Sequence, residues 1–200
     1  MIAVVDYGIG NLRSAEKALQ HLGADARLTT DADAIEHADA VVLPGVGAFG
    51  ACMQALRASG LEAVTKQAAT DGRPFLGICI GMQMLFDGSD ETPDVAGLGV
   101  VGGRVTRLPA GVRLPQMGWN TLTVVNDSQL CRGLPDPAWL YFVHSYAPEP
   151  ADVAVVAAWC DYGRPFAAVI EQGSVWATQF HPEKSGAVGL QLLQNFVAAA

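Results

Sequence analysis

Cys79 is the residue whose surroundings most suggest chemistry. It stands in Pro74-Phe75-Leu76-Gly77-Ile78-Cys79-Ile80-Gly81-Met82-Gln83, an apolar run followed by G-x-C-x-G and a helical pattern. This is the cysteine form of the G-x-S-x-G elbow. Glycines two residues to either side leave room for a strained turn that lifts a side chain out of a sheet. A helix beginning directly after Cys79 sets its positive end beside the sulfur, which favours the attacking thiolate. A cysteine in an apolar run is ordinarily a small buried hydrophobe. The paired glycines and the strand-turn-helix order argue instead for a nucleophile. Cys52, Cys131 and Cys160 lack this context and read as packing residues.

A nucleophilic thiol needs a base and a group that orients the base. His21 and His37 lie in or beside helical stretches, where a solvated face explains them. His144 and His181 sit just past strand ends, where α/β sheets place their sites. In His181-Pro182-Glu183 the proline pushes His181 into an extended conformation, and side chains two apart in an extended segment share a side. Glu183 can then accept one imidazole N–H and aim the other nitrogen at Cys79. Stabilising an oxyanion requires two backbone donors. One is the N–H of Ile80; the other belongs to the loop Leu43-Pro44-Gly45-Val46-Gly47-Ala48-Phe49. Gly45, Gly47 and Gly50 also fit G-x-G-x-x-G, the dinucleotide fingerprint. That fingerprint normally follows a first strand and precedes an acid by about 20 residues, whereas this loop follows the third strand and precedes Lys66 and Gln67. No P-loop and no C-x-x-C spacing occurs, so neither a cofactor nor a metal is expected.

The elements that must hold these groups follow from periodicity. Strands are expected over 2–6, 24–29, 40–43 and 74–78, with a helix over 12–22 capped by Asn11. A capping box at Ser59-Gly60-Leu61-Glu62 is expected to open a helix reaching Thr70. This alternation predicts a parallel sheet with crossover helices. Short strands are expected near 98–101, 119–125, 140–143, 153–158, 167–170 and 175–178, as antiparallel hairpins, with a final helix over 187–197. The fold class is therefore α/β: a mixed, mostly parallel central sheet flanked by helices, with an antiparallel excursion in the second half. The 200 residues predict one domain spanning 1–200. With half the residues hydrophobic and 16% charged, the chain is not a disordered one. Its net charge of -8, without any basic run, argues against nucleic acid as partner. The N-terminus lacks a basic leader and no apolar run is long enough to span a bilayer, so a cytoplasmic protein is expected.

Taken together, Gly77-Ile78-Cys79-Ile80-Gly81-Met82-Gln83 and His181-Pro182-Glu183-Lys184-Ser185 resemble the class I, triad-type glutamine amidotransferases. Four further blocks narrow the resemblance: Asp6-Tyr7-Gly8-Ile9-Gly10-Asn11-Leu12, Leu43 to Phe49, Pro115-Gln116-Met117-Gly118-Trp119-Asn120 and Tyr141-Phe142-Val143-His144-Ser145-Tyr146. With these the chain is similar to the glutaminase subunits of imidazole glycerol phosphate synthases. The resemblance implies hydrolysis of L-glutamine to glutamate and ammonia through a thioester on Cys79, with His181 as acid and base and Glu183 orienting it. It also implies an oxyanion hole from Ile80, Val46 and Gly47, and substrate contacts from Gln83, Glu91, Ser145 and Tyr146. The implied partner is the cyclase subunit, a (β/α)8 barrel that receives the ammonia in histidine biosynthesis, docked on Asn11, Trp119, Tyr141 and Lys184. Other readings are an amidotransferase subunit of another pathway, a silent scaffold of the same fold, or a cysteine peptidase or stress-response protein with the same elbow.

Overall fold

The computed structural model describes residues 1–10, 12–125 and 127–200. Asn11, expected to cap a helix and to face a partner, lies outside them. The first half builds four parallel strands, β1 (Ile2–Val5), β2 (Ala26–Thr29), β3 (Ala40–Gly45) and β4 (Phe75–Cys79). Every residue of β1, β3 and β4 is buried, which explains their unbroken apolar runs: such strands are covered on both faces. The crossovers are α1 (Leu12–His21), α2 (Ala32–Glu36), α3 (Phe49–Ala58) and α4 (Glu62–Ala68), and α5 (Ile80–Met84) follows Cys79 without a break.

The second half contributes β5 (Gly88–Ser89), β6 (Gly103–Arg107), β7 (Gln116–Thr121), β8 (Thr123–Val124), β9 (Trp139–His144), β10 (Tyr146–Pro150), β11 (Val156–Asp161), β12 (Pro165–Gln172) and β13 (Val175–Thr178). The chain closes with α6 (Gly186–Val197), which buries Leu192, Leu193 and Phe196. The main sheet has the order β2-β1-β3-β4-β13-β12-β11-β8. It is parallel from β2 to β13 and antiparallel beyond. Two small sheets, β10-β6-β5 and β7-β9, complete the fold.

One consequence of that order positions the site. Strands β3, β4 and β13 are adjacent and parallel, with Gly45 paired to Cys79 and Thr178 to Ile78. The glycine-rich loop, the cysteine and the His181 segment therefore leave the sheet at the same end, where open α/β sheets bind ligands.

Several local expectations are corrected. Residues 98–101 are not a strand: the Leu98, Val100 and Val101 N–H groups donate to the Met84 and Leu85 carbonyls, so this segment closes the turn after α5. The capping box does not form. Ser59 Oγ donates to the Leu56 carbonyl at the end of α3, and Glu62 pairs with Arg57 at 3.0 Å, so both polar groups serve the preceding helix, and α4 stops at Ala68. The expected strand 119–125 divides between β7 and β8, in different sheets. Residues 153–155 form a 3-10 turn before β11, with Asp152 accepting from the Ala154 N–H. Helices α2 and α3 carried no expectation.

The β4–α5 junction is the tightest point of the sheet. A Cβ on Gly81 would stand 1.8 Å from the Leu43 carbonyl oxygen in neighbouring β3, and one on Gly77 would meet the Gly81 carbonyl and Met82 nitrogen at 3.0 Å. Because both obstacles are backbone, Gly81→Ala must separate β3 from α5. Such overpacking is expected to cost at least about 2 kcal/mol, read as a lowered denaturant midpoint with unchanged slope.

Candidate active site

Cys79 adopts φ 54° and ψ -108°, the only non-glycine residue with positive φ among those described. Holding an L-residue there costs about 1–3 kcal/mol. The backbone packing of Gly77 and Gly81 keeps the turn that sharp, so the elbow read from the sequence forms. The side chain lines a cavity of about 400 Å³ and is otherwise buried, at 2% exposure.

His181 reaches the same cavity from the segment after β13. It is extended, at φ -101° and ψ 95°, but Pro182–Lys184 then forms a 3-10 turn. Glu183 thus meets the imidazole by turn geometry rather than as the next residue but one of an extended strand. His181 Nδ1 donates to Glu183 Oε1 at 2.7 Å between two side chains only 3% and 6% exposed. The ring and Cys79 line the same cavity. Burial lowers the His181 pKa, but hydrogen bonds and charge interactions with Cys79 and Glu183 outweigh it and push the value up to about 9. His144, the other candidate base, has the opposite fate. Burial pushes it down to about 4, against a hydrogen bond from Nδ1 to the Tyr146 carbonyl and with repulsion from His181. Its ring is neutral and pairs with a carbonyl, whereas His181 pairs with the Glu183 carboxylate.

The cavity wall is completed by Val46, Gly47 and Ile80 on one side and Gln83, Glu91, Ser145, Tyr146 and Lys184 on others. The expected oxyanion and substrate residues are thus brought together with Cys79 and His181. Glu183 stands behind His181, and Trp119 and Tyr141 lie outside the cavity, on the β7-β9 sheet. The glycine-rich loop is fastened from beneath. Tyr7 donates its hydroxyl to the Pro44 carbonyl at 2.9 Å, and Cys52 its thiol to the Val46 carbonyl at 3.4 Å. Cys52 is therefore more than filling. Cys131 and Cys160 are buried, and that burial pushes their thiols up to about 11 and about 12, against hydrogen bonds from Ser128 and Gln116.

Two polar residues at the site escaped the sequence reading. Gln179, fully buried, points its side-chain nitrogen at Cys79 Sγ, 3.8 Å away. Its signal was an amide ending the apolar run Val175-Trp176-Ala177-Thr178. Ser185 closes a ring around the His181 backbone. The His181 N–H donates to the Tyr141 carbonyl at 3.0 Å, the Tyr141 N–H to Ser185 Oγ at 3.0 Å, and Ser185 Oγ to the His181 carbonyl at 2.6 Å. No local pattern marks a hydroxyl that serves a strand 44 residues away.

With its pKa raised on folding, His181 contributes stability that is complete below the unfolded value of 6.5 and lost as pH rises through about 9. The melting-temperature gap between wild type and His181→Asn is expected to be widest below that window and to close above it.

The family model for "Glutamine amidotransferase class-I" matches residues 3–200. The imidazole glycerol phosphate synthase subunit HisH of Methanothermobacter thermautotrophicus is 53% identical over 197 residues, covering 98% of each chain. That of Symbiobacterium thermophilum is 48% identical over 195 residues, covering 98% of this chain and 92% of its own. Among solved structures, PurLQS from Thermotoga maritima superposes with a TM-score of 0.78 at 21% identity, over 98% of this chain and 97% of that one. A glutamine amidotransferase crystal structure gives 0.73 at 24% identity, over 99% and 100%. At such identities these two likenesses speak for the fold.

Proposed function

Because the chain belongs to the class I glutamine amidotransferases, we propose that it is the glutaminase subunit of an imidazole glycerol phosphate synthase of histidine biosynthesis. It hydrolyses L-glutamine and hands the ammonia to a cyclase subunit. The observation that carries the chemistry is the buried 2.7 Å His181–Glu183 pair beside an elbow cysteine. In this reading the Cys79 thiolate attacks the side-chain amide carbon of glutamine, and the C=O π electrons collect on oxygen as the tetrahedral oxyanion. The Ile80 N–H, with one from Val46 or Gly47, stabilises that oxygen. The imidazolium of His181 gives its proton to the departing nitrogen, the C–N bond breaks, and a thioester remains. Neutral His181 then takes a proton from water as it attacks, and the C–S bond breaks to return the thiolate and release glutamate. Glu183 holds the ring in one tautomer throughout.

The other end of glutamine faces groups of matching chemistry. Glu91 offers a carboxylate to the α-ammonium, and the backbone of Ser145 and Tyr146 suits the α-carboxylate. Gln83 spends both side-chain hydrogens on the Tyr146 carbonyl and Gln179, while its buried oxygen has no partner among the described residues. That oxygen is the acceptor left for a substrate N–H.

The cyclase, a (β/α)8 barrel, would dock on the β7-β9 sheet. Cross-strand pairing puts Met117, Trp119 and Thr121 opposite Val143, Tyr141 and Trp139 on one face. Met117, Trp119 and Trp139 are each at least half exposed, and Trp119 packs edge-on against Tyr141 at 5.9 Å. Large apolar groups left on a strand pair are what a stable partner covers. Lys184 reaches both cavity and solvent, and we assign it a carboxylate of the cyclase beside the ammonia exit. The cytoplasm is the compartment that fits this role; no helix among the described residues is long and apolar enough to cross a membrane.

The isolated chain is expected to be a feeble glutaminase. Glycines flank Val46, so its N–H can swing into the oxyanion position once the liganded cyclase is bound, and a missing oxyanion donor costs about 100- to 1000-fold. Turnover assays with and without cyclase and its nucleotide ligand test this, and equal rates would contradict it. In the complex, Cys79→Ala is expected to abolish glutamine-dependent synthesis while ammonia-dependent synthesis persists; loss of both would mean that Cys79 supports the fold or the interface.

A further inference from the structure

We propose that Gln179 is a catalytic residue: its side-chain N–H holds the charged sulfur of Cys79, and a relay of two amides starting at the Tyr146 carbonyl fixes its aim. This rests on Cys79 being the nucleophile. The Tyr146 carbonyl can only accept, so it must face the nitrogen of Gln83, 3.0 Å away. The second hydrogen of the same nitrogen goes to Gln179 Oε1 at 2.9 Å. With its oxygen so engaged, Gln179 has only its nitrogen to turn toward Cys79 Sγ, at 3.8 Å. The main chain fixes the residue as well, through the Gln179 N–H to the Ala168 carbonyl at 2.9 Å. The side chain is wholly buried, so no water competes for the donor.

Such a donor does what His181 cannot. The imidazolium surrenders its proton when ammonia leaves, so its charge beside the sulfur varies along the reaction. An amide keeps its hydrogens at every step. It supports the thiolate before attack and again when the C–S bond breaks and sulfur takes back the electron pair. Hydrogen bonds to a charged acceptor are about twice as strong as neutral ones, so the interaction favours the charged sulfur over the thioester.

The test is alkylation of the full-length chain by iodoacetamide, with the Cys79 peptide quantified by mass spectrometry, because this reads the sulfur without glutamine. Cys131 and Cys160, buried with raised pKa values, give a slow background. Gln179→Met keeps the size and removes the donor. It is expected to slow Cys79 alkylation about tenfold at neutral pH, the lower end of what a hydrogen bond to a charged group is worth. Gln83→Met frees Gln179 to rotate and is expected to give a smaller slowing, about threefold, a fraction of the energy of a hydrogen bond to a charged group. That second variant carries the test if the first does not fold. Wild-type rates in both variants, alongside reduced glutaminase turnover, would overturn the proposal and leave Gln179 structural. If alkylation of Cys79 left wild-type turnover intact, the nucleophile assignment itself would fail, and this proposal with it.

Discussion

A backbone collision governs this molecule. The carbonyl of Leu43 in β3 lies so close to α5 that only glycine fits at position 81, and that contact lets the chain turn from β4 into α5 at a single residue. Cys79 carries the turn in a conformation that cysteine otherwise avoids. Because β3 is the strand being touched, the loop that follows it is brought beside the sulfur as part of the same packing. The glycine-rich loop and the strained cysteine are thus two results of one close approach. The strain of the turn persists because the surrounding buried strands hold the backbone in place.

On this frame the electrostatics is arranged by burial. His181 is nearly sealed from water, which by itself would favour the neutral ring, yet Cys79 and Glu183 beside it hold the ring protonated well above its ordinary range. His144, equally buried and on the same cavity wall, lacks a carboxylate and stays neutral. Two histidines in one pocket are therefore set apart by their neighbours, Cys79 and Glu183 for His181, the Tyr146 carbonyl and His181 itself for His144. The ring of hydrogen bonds through Ser185 ties the His181 backbone to Tyr141, so the strand with the exposed aromatic face also supports the backbone of His181.

Much of this was legible in the sequence because it is local. The elbow is five residues, His181 and Glu183 are two apart, and the parallel strands are unbroken apolar runs. What escaped depends on contacts across the sheet order. Ser59 and Glu62 have the spacing of a capping box, but the end of α3 takes both polar groups first. Residues 98–101 have a strand composition, yet their N–H groups are consumed by the turn after α5. Cys52 reads as filling and Gln179 goes unmarked because their partners, the Val46 carbonyl and Cys79, become neighbours only when α3 and β13 pack against the site.

The central claim is that the sulfur at this strained turn forms a covalent intermediate that the His181–Glu183 pair resolves. Acid quenching during turnover of carbon-labelled glutamine by the cyclase complex tests it most directly. The account predicts a hydroxylamine-sensitive label on the Cys79 peptide alone, which disappears once glutamine is exhausted. Label on another cysteine, or turnover with no covalent label under any quench time, would contradict it.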